Sequence, residues 1–382
     1  MPAETDILDE PWQRWRDQRY PAELLHLDTA AAGRCSVGTL RAAAAHAERE
    51  AARGAYVAQD EAAPVIDAGR AELAALLGVP PDGVAFVESA SAALAALLAA
   101  WPLRPGDTVA VAPSEWGPNL TAFGNAGLTI AELPAREDGT VDLDHLERFL
   151  ATTPPAFVHL TQVASHRTLV QPVAQAAAVC QAAGVPLWVD AAQALGHVDT
   201  ATGADVQYAT SRKWLTGPRG VGLLAVSARW WDTLRVRPSE LAREEMTDAC
   251  PVRFLQSHEA NVPGWIGLIN AVRDHLAAGP AKVWSRLAEV GSLTREALHG
   301  LPGWEVVGPG SPACAITALR PLAGQDMRET RARLIAEHGI VTTAAAVARA
   351  PREMTVPLLR VSPHVDCTVA DLNRLAAALQ AL

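Results

Sequence analysis

Residues 206–227 read "VQYATSRKWLTGPRGVGLLAVS", two apolar runs joined by a basic, glycine-containing turn that carries Lys213. Runs that are hydrophobic at consecutive positions, rather than at every second one, belong to strands covered on both faces. Five more recur between alanine-rich stretches: "GVAFVES" (83–89), "DTVAVAPSE" (107–115), "LTIAELPA" (128–135), "AFVHLTQVAS" (156–165) and "PLWVDAAQ" (186–193). This alternation predicts an α/β fold with a mostly parallel, seven-stranded sheet flanked by helices. Residues 21–247 would form this large domain. Beyond it come a long helix, "VWSRLAEVGSLTREALHGL", short strands in "WEVVG", "ACAITALR" and "LLRVSP", and a last helix, "TVADLNRLAAALQAL". They predict a smaller α+β domain made of residues 248–382 and joined by residues 1–20.

Composition narrows what such a protein can do. Its 382 residues are 49% hydrophobic, enough for a sizeable core, and the net charge of -10 disfavours nucleic acid or an anionic membrane as partner. The longest apolar stretch, "ASAALAALLAAWPL" (90–103), is too short to span a bilayer. No secretory signal is read in the first twenty residues, so a cytoplasmic protein is expected. Cys35, Cys180, Cys250, Cys314 and Cys367 lack the paired short spacings of a zinc site, and their odd number does not suggest a disulfide scaffold. A small-molecule site with no metal is the expectation that remains.

In open α/β sheets ligands sit beyond the carboxyl ends of the strands. There "PLWVDAAQALG" places Asp190 and Gln193. Asp190 could cap a helix, or it could face a cation such as a protonated pyridine nitrogen. "ESASAALAALL" runs from a strand straight into a helix, so Ser89, Ala90 and Ser91 could cap it or offer free N–H groups to a phosphate, with Thr210 and Arg212 adding a hydroxyl and a charge. Lys213 is either a surface lysine or an anchor for an aldehyde, able to shuttle protons at a substrate's α-carbon.

Taken together, "VDAAQ" followed by "ATSRKWLTGPRGVG" resembles the signature of the class V aminotransferase family of fold type I pyridoxal-phosphate enzymes. The likeness extends through "HLDTAAAG", "FVESASAAL", "SEWGPN", "EANVPG" and "LLRVSPHVDCTVADLNRL", nearly the whole chain. It implies that Lys213 binds pyridoxal 5'-phosphate covalently and that Asp190 faces its ring nitrogen. Gln193 would contact the ring hydroxyl, Trp116 the ring face, and Ala90, Ser91, Thr210 and Arg212 the phosphate. Arg360 matches the arginine that holds the substrate carboxylate, and Ala31 also falls on the substrate side. Ser165 or His166 would replace a common asparagine near the ring. Asn261 and Val262 correspond to a segment that reaches the neighbouring subunit's phosphate, which implies a homodimer. They stand where relatives have glycine and threonine, so the hydroxyl contact is missing.

The same cofactor serves elimination, desulfuration, transamination and epimerisation. Desulfurases of the family carry a nucleophilic cysteine ahead of the carboxylate-binding arginine, whereas "GIVTTAAAVARAPREMTVPLLR" (339–360) has none. Within the family the chain is most similar to the ergothioneine-pathway carbon–sulfur lyases of actinobacteria, which cleave hercynylcysteine sulfoxide. An epimerase of the isopenicillin N type, a transaminase and a non-enzymatic regulator are the other readings.

Overall fold

Runs that are apolar throughout need cover on both faces, and the computed structural model supplies it; it describes residues 8–236, 250–256, 259–308 and 314–382. The chain enters through α1 (Glu10–Asp17), the two-residue strand β1 (Leu25–His26), α2 (Val37–Arg53) and α3 (Ala55–Leu77). Alternation follows: β2 (Val84–Val87), α4 (Ala90–Ala100), β3 (Thr108–Val111), α5 (Gly117–Asn125), β4 (Thr129–Glu132), α6 (Leu143–Thr152), β5 (Phe157–Thr161), α7 (Val173–Ala183), β6 (Leu187–Asp190), β7 (Val206–Thr210) and β8 (Gly222–Val226). All seven runs expected to be strands join one sheet, ordered β2-β8-β7-β6-β5-β3-β4. Only β8 is antiparallel to its neighbours, β2 and β7. Reversing direction twice leaves β2 parallel to β7, so the carboxyl ends of β2, β3, β5, β6 and β7 share one edge. The chemistry-bearing loops leave from that edge.

The remainder comprises α8 (Val262–Ala278), α9 (Pro280–Leu298), β9 (Trp304–Val306), β10 (Thr317–Pro321), α10 (Met327–His338), β11 (Ile340–Val341), β12 (Thr343–Ala345), β13 (Leu358–Val361) and α11 (Val369–Ala381). Strands β12-β13-β10-β9 make an antiparallel sheet, and Leu298, Leu334, Leu359 and Leu375 build its core with the helices.

Residue 247, the expected boundary, lies outside the described residues, and elements on either side of it pack across the expected division. β1 was expected in the large domain, yet it pairs in parallel with β11, and the Thr29 N–H donates to the Ser362 carbonyl at 2.9 Å. Helix α8 was expected in the small domain. Instead it crosses α2 and α3, because Trp265, Leu268, Ile269 and Val272 complete a core that includes Leu73 and Phe86. The Trp265 and Phe86 rings stack at 5.0 Å. A Cβ at Gly69 would run into Ile269, so that glycine lets α3 and α8 close up. Among the described residues no helix is long and apolar enough to cross a membrane.

A column of rings ties the two units together. The Arg19 guanidinium lies 4.0 Å over Trp15, Trp15 stacks on His364 at 5.0 Å, His364 faces Trp214 at 6.1 Å, and Trp214 stacks on His197 at 3.8 Å. Nδ1–H of His197 donates to the Gln193 carbonyl at 2.9 Å, while Nε2 accepts from the Ala315 N–H at 2.9 Å. Only a neutral ring can do both. Burial lowers the pKa of His197 to about 3, and that of His364 likewise to about 3. Unfolded, these rings take up protons below their ordinary value of 6.5, whereas folded they stay neutral until about 3. The unfolded state therefore binds more protons in that window, and their contribution to stability, complete above it, is lost as pH falls through it. Melting temperatures followed from pH 7 to 4.5 are expected to decline, with a shallower slope in His197→Gln; parallel curves would refute the role of His197.

Candidate active site

Strand β7 delivers the chain into the turn 211–217, and that turn is fastened on three sides. The Gly33 N–H donates to the Arg212 carbonyl at 2.7 Å, and a Cβ on Gly33 would stand 2.5 Å from the Lys213 carbonyl oxygen. Thr216 adopts a φ of 56°, the left-handed region that a β-branched residue enters only under strong local constraint. Its hydroxyl accepts from Arg19 at 3.0 Å. Trp214, fully buried, donates from Nε1 to Gln193 Oε1 at 2.8 Å, and Gln193 Nε2 donates to the Ala30 carbonyl at 2.9 Å. The backbone of Lys213 is thereby fixed at the edge of a cavity of about 260 Å³. Burial lowers the lysine's pKa to about 7 in spite of Asp190, with Arg212, Arg360 and Arg349 pushing the same way. Such a lysine holds much of its amine free at neutral pH, as a nucleophile or base must.

Asp190, the last residue of β6, lines the same cavity. Its Oδ1 accepts from the Ala192 N–H at 2.8 Å and its Oδ2 from Asn119 Nδ2 at 3.0 Å. Asn119 also donates to Glu115 at 2.9 Å, as does the Thr161 hydroxyl at 2.6 Å. Glu115 in turn accepts from His159 Nδ1 at 2.8 Å, and His159 Nε2 meets the Tyr208 hydroxyl at 2.7 Å. Burial would raise Glu115, but His159 and these hydrogen bonds outweigh it and the group is held below its ordinary value. Asp190 moves the other way: burial pushes it up, Lys213 and Asn119 only partly offset this, and Glu115 adds to the rise. Asp190 is a buried carboxylate short of positive charge, a fit for a protonated ring nitrogen.

At the other end of the cavity β2 runs into α4. The Ser89 side chain caps the helix by accepting from the Ala92 N–H at 3.1 Å, which leaves the N–H groups of Ala90 and Ser91 without intrahelical acceptors. A Cβ on Gly222 would stand 2.7 Å from the Ser89 carbonyl carbon, so the glycine lets β8 close against this turn. Thr210 and Arg212 complete a cradle whose donors and helix dipole suit an anion.

Residues 26–375 match the family model described as Aminotransferase class-V. The chain belongs to the class V aminotransferase family. A probable hercynylcysteine sulfoxide lyase of Mycobacterium tuberculosis is 48% identical over 368 residues, 96% of this chain and 92% of that protein. An isopenicillin N epimerase of Amycolatopsis lactamdurans is 28% identical over 84% of this chain and 85% of its own. Among solved structures, a cysteine desulfurase of Escherichia coli shares the fold with a TM-score of 0.83, at 21% identity over 98% of both chains.

The family's cofactor is pyridoxal phosphate, and the cavity has a donor-rich anion cradle, a lysine near neutrality and a carboxylate lacking a cation. These residues fit the group. Ala31, Ala90, Ser91, Trp116, Ser165, Asp190, Gln193, Thr210, Arg212 and Lys213 all line the one cavity. His166 does not. Its Nε2 meets Glu353 at 3.0 Å in a neighbouring cavity, where Arg167 pairs with the same carboxylate. Arg360 is fully buried and adjoins the cavity through the Ser165 carbonyl, which accepts from it at 2.9 Å. Its other nitrogen pairs with Asp28 at 3.1 Å. Asn261 caps α8 by accepting from the Gly264 N–H at 3.0 Å, and Val262 is buried beneath it. Among the described residues no group of three or more His, Cys, Asp or Glu could hold a metal ion.

Sequence reading overlooked Asn119, Glu115 and His159, although Glu115 and Asn119 stand four apart in "SEWGPN". It also overlooked Arg349, which lines the cavity from an alanine-rich loop without any pattern. Two outcomes are expected. Capture of pyridoxal phosphate by the apoenzyme, followed by absorbance, accelerates as pH rises through about 7 and then levels off; a flat profile would contradict a depressed Lys213. Gly33→Ala, which crowds the lysine turn, lowers cofactor occupancy and destabilises by about 1–3 kcal/mol, readable by denaturant unfolding.

Proposed function

We propose that this class V enzyme is a pyridoxal-phosphate-dependent carbon–sulfur lyase that cleaves hercynylcysteine sulfoxide into a sulfenate, pyruvate and ammonium. It works as a homodimer in the cytoplasm, with the backbone at the start of α8, around Asn261, nearest the partner's cofactor. The five cysteines, all free, support a reducing compartment.

The observation that carries this reading is a cavity with a poised lysine and abundant positive charge but no thiol. An enzyme that takes sulfur onto itself needs an accessible thiolate. Cys314 is buried with its pKa pushed up to about 11, and burial raises Cys367 well above the ordinary value. Neither suits the task, and residues 339–360 contain no cysteine. A sulfoxide needs no such thiol, because its sulfur departs by itself as a sulfenate, a better leaving group than a thiolate. The 48% identity to the mycobacterial protein supports the substrate.

When bound, pyridoxal phosphate supplies an electron sink for charge released at the substrate's α-carbon. Ala90, Ser91, Thr210 and Arg212 would hold its phosphate, Asp190 its ring nitrogen, Gln193 its ring hydroxyl, and Trp116 and Ser165 its ring. Arg360 orients the substrate carboxylate through paired, charge-assisted hydrogen bonds. Lys213 removes the α-proton and keeps it on Nζ. The Cβ–S bond then breaks with its electron pair going to sulfur, and the three-carbon fragment adds water to give pyruvate and ammonium.

Supplying hercynylcysteine sulfoxide, L-cysteine and S-methyl-L-cysteine sulfoxide separately should yield pyruvate fastest from the first. Equal turnover of all three rejects the specialised reading, and return of epimerised amino acid without pyruvate favours an epimerase. Lys213→Ala should leave no covalent cofactor adduct after borohydride reduction. Arg360→Ala should raise KM about ten- to a hundredfold for every α-amino acid substrate, the scale of a lost charged hydrogen-bond pair.

A further inference from the structure

Four cations surround the cavity, and three have natural partners in the chemistry above: Arg212 the phosphate, Arg360 the substrate carboxylate, and Lys213 the α-proton. Arg349 has none. It ends a one-turn 3-10 helix, Val347–Arg349, and lines the cavity together with Lys213 and Trp116. Its guanidinium forms no hydrogen bond or ion pair among the described residues, and its buried Nε has no acceptor. Asp28, the carboxylate that acts on it electrostatically, is already bound to Arg360 at 3.1 Å and to the Thr343 hydroxyl. Glu353, four residues along, is occupied by His166 and Arg167.

The placement is built into the backbone. A Cβ on Gly117 would collide with the Ala348 carbonyl oxygen and approach Pro351. Gly117 follows Trp116 at the start of α5, so the lack of a side chain there lets the Arg349 turn seat directly against the wall that carries Trp116. A cation held in place, with an orphaned N–H and no internal anion, is a site prepared for charge that arrives or develops with the substrate.

We propose that Arg349 is a catalytic residue that receives the sulfoxide oxygen and stabilises the negative charge developing on it as the sulfenate leaves. This rests on the lyase reading. The Cβ–S bond breaks, its electron pair passes to sulfur and is shared with the attached oxygen, and the α-proton stays on Lys213. No oxidant or reductant is required. The phosphate, the carboxylate and the ring nitrogen have Arg212, Arg360 and Asp190, so the departing oxygen is the remaining anion without a partner.

The test uses the holoenzyme and three substrates assayed for pyruvate: hercynylcysteine sulfoxide, S-methyl-L-cysteine sulfoxide, and β-chloro-L-alanine, whose leaving group has no oxygen. In Arg349→Gln, kcat for both sulfoxides should fall on the order of a hundredfold relative to β-chloro-L-alanine. Arg349→Lys, which keeps the charge without the fork, should recover part of that ratio. Cofactor content and melting temperature, read on both variants, report whether the site has folded, and the lysine variant carries the test if the glutamine variant has not. An equal loss on all three substrates overturns the proposal in favour of a carboxylate or structural role. A loss confined to hercynylcysteine sulfoxide overturns it in favour of a contact with the distal part of that molecule. If the unaltered enzyme eliminates from β-chloro-L-alanine but makes no pyruvate from either sulfoxide, the lyase reading itself fails.

Discussion

Everything at the active edge depends on holding one short turn still. A lysine has a long, flexible stem, and a side chain that must add to an aldehyde and then exchange protons with a neighbouring carbon gains from a fixed base. Here the fixation is steric as well as bonded: Gly33 lies flat against the Lys213 carbonyl, and Trp214 is gripped between Gln193 and two imidazoles. The strained Thr216 is the local cost. The clamp also explains why β1 pairs with β11 rather than with the large sheet: the segment that leads to Ala30, Ala31 and Gly33 is itself anchored by β11 and Ser362.

Electrostatics follow from that geometry. Arg212, Lys213, Arg349 and Arg360 crowd a partly buried space answered by only Asp28 and Asp190 among the groups identified there. Burial and mutual repulsion lower Lys213 to about 7 and Arg360 to about 10. An excess of buried positive charge is unfavourable by itself, and the ligands that relieve it are anions: a phosphate, a carboxylate and a departing oxyanion. Ligand binding and stability are thus coupled in the same direction. The Glu115–His159 pair sits behind Asp190 and keeps a second negative charge close, which favours a proton on whatever ring nitrogen faces that carboxylate.

The sheet was readable because its strands are continuous apolar runs, and Asp190, Lys213 and the α4 start were readable because each directly follows such a run. What escaped were relations between distant segments. The two-residue strand β1 has no periodicity to detect and exists only because residues 340–341 lie beside it. Helix α8 carries an amphipathic pattern that does not say which core it joins. His166 looked available in its loop; its engagement with Glu353 spans 187 residues and leaves no mark near either residue. Arg349, in a run of alanines, gains its meaning only from the close seating of its turn against Gly117.

One consequence concerns the order in which the molecule comes into being. The N-terminal segment that walls the cavity is tied down by partners 332 residues away in the Asp28–Arg360 and Ala30–Ser362 bonds. On the ribosome those partners emerge long after the lysine strand. The large sheet can assemble around the lysine strand while its clamp still lacks an anchor, since domains tend to fold as units while distant contacts wait. Competence for cofactor and substrate is therefore gained only once β13 has emerged, and a chain truncated before β13 would keep the Lys213 strand but lack the anchor that completes its site.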